Sequence, residues 1–455
     1  MLCATRDVRA QRAGAISMPI AVVNKSNIAI SGVTRRLTLT FLLSIFAINF
    51  MDRQILAILV EPIKHDLKLS DTQIGMLYGL AFAVLYSTAG IPIARLADRW
   101  NRSWIINCSL VLFSVMTAAC GLAIGYWQLV IARIGVAIGE GGTNPPSHSI
   151  ISDLYGVDRR STAMAIFSLG PHIGIILGFI IGGVIGQYFG WRVAFVSAGV
   201  MGFIISLLSF RYLQEPSREW SSAQPVEAPP ISLVVRKLFR YKSMVHLFVG
   251  AAVWSTAAYA VIGWLASFLV RSHGLSISVA GTNLALILGL FGGVGTVLGG
   301  LLADHLGGRN AAWRLRLVSI AGLVLVLGWP LVLWETRTTH ALVLFAIPGA
   351  LFGFYLGPTF AMVQSLVEPP MRATAAAALL FVINILGLGL GPLAVGALSD
   401  ALQPTQGLDS LRGALLIVSP IFLWASYHYY NASGTIDTDL ARAHAYQKGL
   451  HPNEK

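Results

Sequence analysis

Charged residues are scarce in this sequence. Asp, Glu, Lys and Arg make up 11% of its 455 residues, whereas hydrophobic residues make up 55%. A soluble domain carries about 25% charged residues. This composition excludes an ordinary soluble domain and indicates a helical membrane protein.

Cysteine is also rare, because the chain has only Cys3, Cys108 and Cys120. An odd number, with two members in one apolar run, argues against a disulfide framework. We also find no spacing typical of a metal site, a nucleophile triad or a nucleotide-binding loop. We therefore expect no bound metal or organic cofactor and no enzymatic activity.

Long apolar runs are what the sequence has in abundance. About 20 apolar residues cross a bilayer as a helix, and runs of this kind lie near 37–60, 72–93, 104–124, 127–152, 161–188, 192–213, 244–269, 276–302, 315–334, 341–366, 373–399 and 411–431. We expect no cleavable signal peptide before them. The prediction is an all-α membrane protein of twelve transmembrane helices in two six-helix bundles.

The predicted organisation places the bundles on either side of one linker. We divide the chain into a tail over 1–34, bundles over 35–213 and 244–432, a linker over 214–243 and a tail over 433–455. The linker is rich in proline at its start and mixes basic with apolar residues at its end, as an amphipathic interfacial helix would.

The basic residues predict the orientation. The formal net charge is +12, which in so apolar a chain indicates loops on the inner side of a membrane rather than binding to nucleic acid. Placing both tails and the 2/3, 4/5, 6/7, 8/9 and 10/11 connections in the cytoplasm collects about four times as many Lys and Arg residues as the opposite connections hold. We expect a plasma (inner) membrane protein with both termini in the cytoplasm.

The two halves look like repeats. Leu96–Asp98 after the second run matches Leu302–Asp304 after the eighth, and Arg160–Ala163 before the fifth matches Arg372–Ala375 before the eleventh. Both pairs are separated by a similar distance along the chain. Two parallel six-helix halves with a site between them at mid-membrane form a transporter architecture.

Family signatures accompany these repeats. The stretch Gly90–Arg102 resembles the loop signature of the major facilitator superfamily, with an alanine near position 94 where a glycine is usual, and Gly299–Arg309 resembles its second-half counterpart. Within that superfamily, Asn49–Arg53, Arg133–Gly142 and Ser152–Ser161 are similar to the spinster family. The resemblance implies the major facilitator fold and transport of lysophospholipids or sphingosine phosphates, with proton coupling. Organic-anion/proton symporters of the superfamily share an Asp-Arg pair in the first helix.

Four charged residues lie away from the ends of predicted spans in the first half: Asp52, Arg53, Arg133 and Glu140. Charged residues within spans are expensive and functional by default. Depth along the helices favours pairing of Arg133 with Asp52 and of Arg53 with Glu140, although the opposite pairing is open. Asp52 and Glu140 are therefore predicted proton-coupling residues, and Arg53 and Arg133 can bind an anion or switch the protonation of the acids.

Other predicted site residues are polar or aromatic. They are Asn49, His148, Trp254, Tyr259, Asn283, Tyr355 and Asn384. Together they predict an aromatic, neutral second-half wall opposite a charged first-half wall, which suits a ligand with a polar head and an apolar tail. His148 and His172 could also sense pH, but an interior histidine with hydrogen-bond partners is the simpler interpretation.

The loop signatures predict a gating latch on the inner side. In the resembling family, this loop closes the inner side against the start of helix 11. The candidate residues are Asp98, Arg99, Arg102, Asp153, Asp304 and Arg309. Asp153 can pair with Arg99 or Arg102, and the alternative is that these charges only set topology.

We thus expect a proton-coupled secondary transporter that works by alternating access. Its predicted partners are an amphipathic lysophospholipid- or sphingolipid-like substrate, protons and membrane lipids, without nucleic acid, and its predicted state is a monomer. Its only energy source would be the proton gradient. The rival substrate class is a small carboxylate, and the rival functions are a lipid-modifying membrane enzyme and a receptor. The second half has no arginine deep inside a predicted span, because Arg316 and Arg412 lie at span ends, and this favours the lipid.

Overall fold

The chain folds into helices throughout the part that the structure describes. The computed structural model describes residues 32–216, 236, 238–308, 310–368 and 371–447. The helices of the first half are α1 (Gly32–Ile58), α2 (Asp71–Gly75, Met76–Leu80 and Ala81–Arg99), α3 (Arg102–Gly121), α4 (Tyr126–Gly141 and Asn144–Leu154), α5 (Val157–Phe167 and Gly170–Phe189) and α6 (Trp191–Tyr212). A short helix, Val60–Leu67, joins α1 to α2.

The second half repeats this pattern. Its helices are α7 (Lys242–His273), α8 (Ile277–Leu284, Ala285–Phe291 and Gly292–Gly307), α9 (Ala312–Trp334), α10 (Thr338–Leu351 and Leu356–Ser365), α11 (Arg372–Val382, Ile383–Leu390 and Gly391–Gln406) and α12 (Ser410–Val418 and Ile421–Gln447). The middle segments of α2, α8 and α11 are π-helical. Such turns are frequent at functional sites.

Ten segments of the described residues are long and apolar enough to cross a membrane. One of them, Thr374–Ala445, contains both α11 and α12. Helix α4 is not among the ten because it is interrupted after Gly141. Proline cannot donate a backbone hydrogen bond and clashes with the preceding turn, so Pro145 and Pro146 explain the interruption. The prediction of an all-α, twelve-helix architecture is confirmed.

Packing groups the helices by halves. In the first bundle α1 packs on α5 and α6, and α3 packs on α4 and α6. In the second bundle α7 packs on α11 and α12, and α9 packs on α12. We call the face that carries the α1–α2 and α7–α8 connections the distal face, and the face from which α1 starts the terminal face.

The two bundles approach each other closely in the half nearer the distal face. A Cβ atom on Gly79 of α2 would lie 2.7 Å from the carbonyl oxygen of Gly389 in α11. A Cβ atom on Gly281 of α8 would lie 2.3 Å from the carbonyl oxygen of Phe179 in α5. Glycine at both positions therefore allows backbone-to-backbone contact across the two seams between the bundles.

Charged groups fasten the same face, and the sequence analysis did not single them out. We call Glu61, Lys64, Asp71 and Arg271 the distal charge cluster. Arg271 of α7 donates two hydrogen bonds to Asp71, at 2.8 and 2.7 Å, and a third to Glu61 at 2.9 Å. Lys64 donates to Asp71 at 2.6 Å. A bidentate arginine–carboxylate pair is strong and directional, so the cluster ties the first bundle to the second.

Helix α11 joins the cluster from the other side. The Ser399 hydroxyl donates to Asp71 at 2.7 Å. The carboxylate of Asp400 accepts hydrogen bonds from the backbone N–H groups of Asp71 and Thr72, at 3.0 and 2.7 Å. Asp400 thereby satisfies N–H groups at the start of α2 that have no partner within the helix.

The terminal face carries a charge network within the first bundle. Arg102 donates to Asp153 at 2.5 Å and to Glu215 at 2.7 Å. The pairing of Asp153 with Arg102, one of the two alternatives, is therefore found. Glu215 was not foreseen, because it lies at the predicted start of the linker.

The remaining latch residues are less constrained in the structure. Arg99 is exposed, and Asp304 lies 3.5 Å from Arg314 with most of its side chain exposed. The side chain of Asp98 and all of Arg309 lie outside the described residues. A latch through these residues stays a prediction.

The end of α12 continues beyond the last predicted span. Helix α12 runs to Gln447, and Asp439 accepts hydrogen bonds from the backbone and hydroxyl of Ser243 at 2.9 and 2.7 Å. Residues 433–447, which we assigned to a tail, thus include helix that packs on the start of α7. Half of the predicted amphipathic segment at the end of the linker lies outside the described residues.

The distal charge cluster predicts the effect of Asp71→Asn. This change weakens the bidentate pair with Arg271, so the distal face should open more often. We expect a cysteine at Leu393, which faces Gly75 across the seam, to react with a polar thiol reagent about fivefold faster, as loss of about 1 kcal/mol implies.

Asp66→Asn is the matched control. Asp66 pairs with Arg192 and accepts from Trp191 at 3.0 Å, all within the first bundle. It should leave the labelling rate unchanged. Equal labelling rates in the Asp71→Asn and unsubstituted proteins would contradict a fastening role for the cluster.

Candidate functional site

The intramembrane charges form two ion pairs between α1 and α4. Arg53 donates to Glu140 with Nη2 at 2.6 Å and with Nε at 3.3 Å. Arg133 donates to Asp52, which also accepts from the Thr117 hydroxyl at 3.0 Å. This is the pairing that depth along the helices favoured.

These side chains are almost entirely removed from the surface. Asp52 and Glu140 are 0% exposed, Arg133 is 1% exposed and Arg53 is 6% exposed. Isolated charges in such a setting are very costly. Each acid therefore depends on its arginine, and any event that moves one arginine changes the charge state that its acid can hold.

A polar chain fixes α1 at the point where α4 is interrupted. The Asn49 amide donates to the Thr143 hydroxyl at 2.7 Å, and that hydroxyl donates to the backbone carbonyl of Glu140 at 2.8 Å. Thr143 thus occupies the gap that Pro145 and Pro146 open in the helix. Asn49 is a positioning residue here, because its contacts hold the turn that carries Glu140.

Aromatic rings surround the two guanidinium groups. The Arg53 guanidinium carbon lies 4.7 Å from the centre of the Phe82 ring, 4.9 Å from that of Tyr86 and 5.1 Å from that of Phe50. The Arg133 guanidinium lies 5.1 Å from the Phe82 ring. Ring faces attract cations, so Phe82 stabilises both arginines where water is excluded. The sequence analysis did not identify these rings on α2.

A cavity of about 360 Å³ lies between the bundles beside Arg53. A volume of this size suits a small organic molecule. The first bundle contributes the lining residues Phe50, Arg53, Gln54, Tyr78, Ser168, Pro171, His172 and Ile175. The second contributes Ala258, Tyr259, Ile262, Leu288, Gly292, Thr296, Gly349, Phe352, Gly353, Tyr355 and Leu356.

The lining is asymmetric in charge. Among the lining residues, Arg53 is the one permanent charge, and the residues from the second bundle are all neutral. Asp52, Arg133 and Glu140 lie behind this surface. The expected contrast between a charged first-half wall and an aromatic, neutral second-half wall is thus found, with Arg53 as the charge that reaches the cavity.

Three of the predicted aromatic residues lie at or behind the second-half wall. Tyr259 and Tyr355 line the cavity. Trp254 lies behind Tyr355, with ring centres 5.3 Å apart, and its indole N–H donates to the carbonyl of Phe352 at 3.2 Å. Trp254 therefore supports the wall without forming part of its surface.

Three other predicted residues lie away from this lining. His148 packs edge-on against Phe167, with ring centres 5.1 Å apart. The Asn283 amide donates to the Val279 carbonyl of its own helix at 2.8 Å. Asn384 is in the π-helical segment of α11 and is not among the lining residues.

The sequence analysis missed Gln54 as a lining residue and set aside His172. Phe50, Arg53 and Gln54 are spaced i, i+3 and i+4, so they share one face of α1. That spacing could have identified Gln54. His172 lies on α5 and reaches the cavity because α5 packs directly on α1, which is a tertiary fact.

Comparison with known families gives one match to most of the chain. The family model described as Major Facilitator Superfamily matches residues 42–392. An MFS-type efflux pump of Mycolicibacterium smegmatis (strain ATCC 700084 / mc(2)155) is 33% identical over 86% of this chain and 91% of its own length. The predicted resemblance to the superfamily is confirmed.

Two further relatives are named for sugar acids. A probable L-galactonate transporter of Escherichia coli (strain K12) is 28% identical over 71% of this chain and 74% of its own length. A hexuronate transporter of Bacillus subtilis (strain 168) is 23% identical over 84% of this chain and 92% of its own length.

Among solved structures, a bacterial homologue of the human lysosomal transporter Spinster is similar in fold. In its inward-facing, unoccupied conformation it aligns with a TM-score of 0.81 and 28% identity, over 90% of this chain and 99% of its own. The spinster resemblance inferred from the first half thus extends to the structure as a whole.

The buried pair of Asp52 and Arg133 predicts the effect of Asp52→Asn on stability. The change leaves the guanidinium charge without its partner in the membrane interior. Breaking a buried pair on one side costs about 3–5 kcal/mol, so the thermal unfolding midpoint in detergent should fall clearly.

The double variant Asp52→Leu with Arg133→Met is the matched control. It removes both charges together, so its unfolding midpoint should lie closer to that of the unsubstituted protein. A midpoint for Asp52→Asn equal to that of the unsubstituted protein would show that the pair does not contribute to stability.

Proposed function

The chain belongs to the major facilitator superfamily, and from this membership we propose that it couples proton movement to transport of an amphipathic lysophospholipid- or sphingolipid-like molecule. The family and the relatives are transporters, not enzymes. The protein is accordingly a multi-pass membrane transporter of a small molecule. The proposal concerns its substrate and its energy source.

The single observation that carries the substrate proposal is the asymmetric cavity. Arg53 offers one positive charge at the first-half wall, and the opposite wall is neutral and aromatic. A negatively charged or zwitterionic head would bind at Arg53, since guanidinium binds phosphate and carboxylate with paired hydrogen bonds. An acyl chain would lie against the second-half wall around Tyr259 and Ile262.

Proton coupling follows from the position of Arg53 between the cavity and Glu140. Glu140 is bound by Arg53 of α1, whose guanidinium also lies against the Tyr86 ring. Asp52, Arg133 and Tyr259 also interact with Glu140 electrostatically. An anionic head that draws Arg53 toward the cavity would leave Glu140 buried without its hydrogen-bonded cation. A buried carboxylate without a partner is stable in its protonated form, so substrate binding would favour uptake of one proton at Glu140.

Asp52 can respond in a similar way but lies farther from the cavity lining. It faces Arg133 and Thr117. The Phe82 ring lies against both arginines, so displacement of Arg53 would also change the surroundings of Arg133. We propose Asp52 as the second proton-coupling residue.

The predicted cytoplasmic location of both termini gives the structure an orientation in the membrane. With both termini in the cytoplasm, the distal face is the extracytoplasmic side, and the distal charge cluster closes it. The structure then represents a state closed to the outside, as expected for a monomeric transporter of the inner membrane that works by alternating access. The similar Spinster homologue is an inward-facing structure.

A small carboxylate brought in with protons is the second candidate substrate. The relatives named for galactonate and hexuronate favour it, and so does a cavity of about 360 Å³, which is ample for a sugar acid. A lysophospholipid would need additional space between the bundles for its chain. Arg53 would bind the carboxylate in this case as well.

Transport by purified protein in proteoliposomes tests these proposals. Labelled lysophosphatidic acid or sphingosine phosphate and labelled galactonate or a hexuronate should be measured with and without a pH gradient. Gradient-stimulated transport of the lipid supports the first proposal, and stimulation of the sugar acid alone supports the second. Equal transport of the better substrate with and without the gradient would contradict proton coupling.

Glu140→Gln separates the proton step from substrate movement. The amide retains the size of the side chain but cannot exchange a proton. We expect gradient-driven accumulation to be lost while exchange of labelled for unlabelled substrate continues. Asp66→Asn is the control, because it is an acid-to-amide change on the distal face, and it should behave like the unsubstituted protein. Accumulation by Glu140→Gln with unchanged pH dependence would refute the role of Glu140.

A further inference from the structure

The cavity contains two polar side chains that the transport mechanism above does not use. Gln54 lies on α1 directly after Arg53, and His172 lies on α5; both line the cavity. Gln54 is 5% exposed, and its side-chain carbonyl oxygen has no hydrogen-bond partner among the described residues. The Nδ1 atom of His172 is likewise buried and without a partner.

Unpartnered polar atoms are unusual inside a folded protein. Buried polar groups nearly always have a hydrogen-bond partner, and each exception requires an explanation. Both side chains line the cavity, from two different helices, so a change of side-chain rotamer would bring either unpartnered atom to a ligand in the cavity. Neighbouring polar residues differ in this respect: the Thr296 hydroxyl, which also lines the cavity, donates to the Gly292 carbonyl of its own helix at 2.9 Å.

The packing around His172 keeps its ring at the cavity. A Cβ atom on Gly293 of α8 would lie 3.2 Å from the Cγ and Nδ1 atoms of His172. The ring therefore lies directly against the second bundle at a glycine, close to the cavity-lining residue Gly292. A ligand bound to His172 would lie between the two bundles, so its contacts would change when the bundles move relative to each other.

We propose that Gln54 and His172 form a subsite for a hydroxyl group of the ligand, next to the anion site at Arg53. The glutamine amide offers an acceptor and donors, and a neutral imidazole offers one of each. Neither carries a fixed charge, so the pair suits a neutral group that both donates and accepts, and a hydroxyl does so. The ligand class is thus a hydroxylated anion, with its charge at Arg53 and a hydroxyl at Gln54 and His172.

This inference rests on the proposed function only in placing a transported ligand in the cavity. Two sources share the required chemistry. One is a lysophospholipid head with a free glycerol hydroxyl, and the other is a sugar acid. The test therefore uses a hydroxylated probe and its deoxy analogue from each source.

Binding to the purified full-length protein is the direct measurement. The lipid probes are 1-oleoyl lysophosphatidic acid and its analogue without the glycerol hydroxyl, and the acid probes are gluconate and hexanoate. A site built to hydrogen-bond a hydroxyl discriminates strongly against an analogue that lacks it. We expect the hydroxylated member of one pair to bind at least about tenfold more tightly, and that pair identifies the source.

Gln54→Met and His172→Phe should each bring the ratio of the two affinities, hydroxylated probe to deoxy analogue, closer to one. The affinity for the hydroxylated probe should fall, and the affinity for the deoxy analogue should stay as in the unsubstituted protein. The unchanged analogue also shows that the variants fold. Thr282→Val is the matched control, since its hydroxyl donates to the Ser278 carbonyl of its own helix at 3.0 Å and Thr282 is not among the lining residues. It should leave the preference unchanged.

Two outcomes would overturn the subsite. One is an unsubstituted protein that binds the members of both pairs equally. The other is a loss of affinity in Gln54→Met and His172→Phe that is the same for both members of a pair. A clear preference in binding without transport of any probe in proteoliposomes would instead retain the subsite and refute the proposed transport function.

Discussion

The need to pair charges in a medium without water organises this protein. Two acids and two arginines lie in the first bundle with at most 6% of any of them exposed. A charge at the centre of a membrane helix costs roughly 2.5–3.5 kcal/mol on insertion scales, and desolvation of a tightly buried ion costs more. Bidentate contact, the Thr117 hydroxyl and the faces of Phe50, Phe82 and Tyr86 together offset that cost.

The same constraint gives Arg53 its special position. It is bound to Glu140 on one side and lines the cavity on the other. Arg133 has no such opening, because it lies behind the lining with Asp52. The Arg53–Glu140 pair is therefore accessible to a ligand. The Arg133–Asp52 pair responds to a change at Arg53 through the Phe82 ring, which contacts both arginines. Neighbouring residues on α1 thus contact different partners, as the angle of about 100° between successive side chains of a helix requires.

A second set of charges acts on the contact between the bundles. Arg271 and Asp71 connect the halves at the distal face, where glycines bring the backbones into contact. Arg102 connects helices of the first bundle at the terminal face. The distal cluster crosses the seam, whereas the Arg102 network does not. Among the described residues, the distal cluster thus fastens the distal face across the seam.

Much of the architecture was predictable because the insertion of a helix into a membrane depends on its local sequence. Runs of apolar residues predicted the helices, and duplicated signatures predicted the two halves and the family. Basic loops predicted the orientation, and the four intramembrane charges predicted the candidate site. Helix depth favoured the pairing of Asp52 with Arg133, since distance along a helix follows from residue number. Pro145 and Pro146 also indicate the interruption of α4 from the sequence alone.

Other features were decided only by the tertiary structure. Phe82 carries no sequence signal of its importance, because an uncharged residue in an apolar helix can face lipid, packing or cavity equally well. The Asp71–Arg271 contact joins residues 200 positions apart, and each looked like an ordinary loop charge. The sequence by itself determined which charges must find partners inside the membrane. The packing of α1, α5 and α8 decided which polar atoms beside the cavity were left without a partner, since that depends on how the helices and the two bundles meet and not on any one helix.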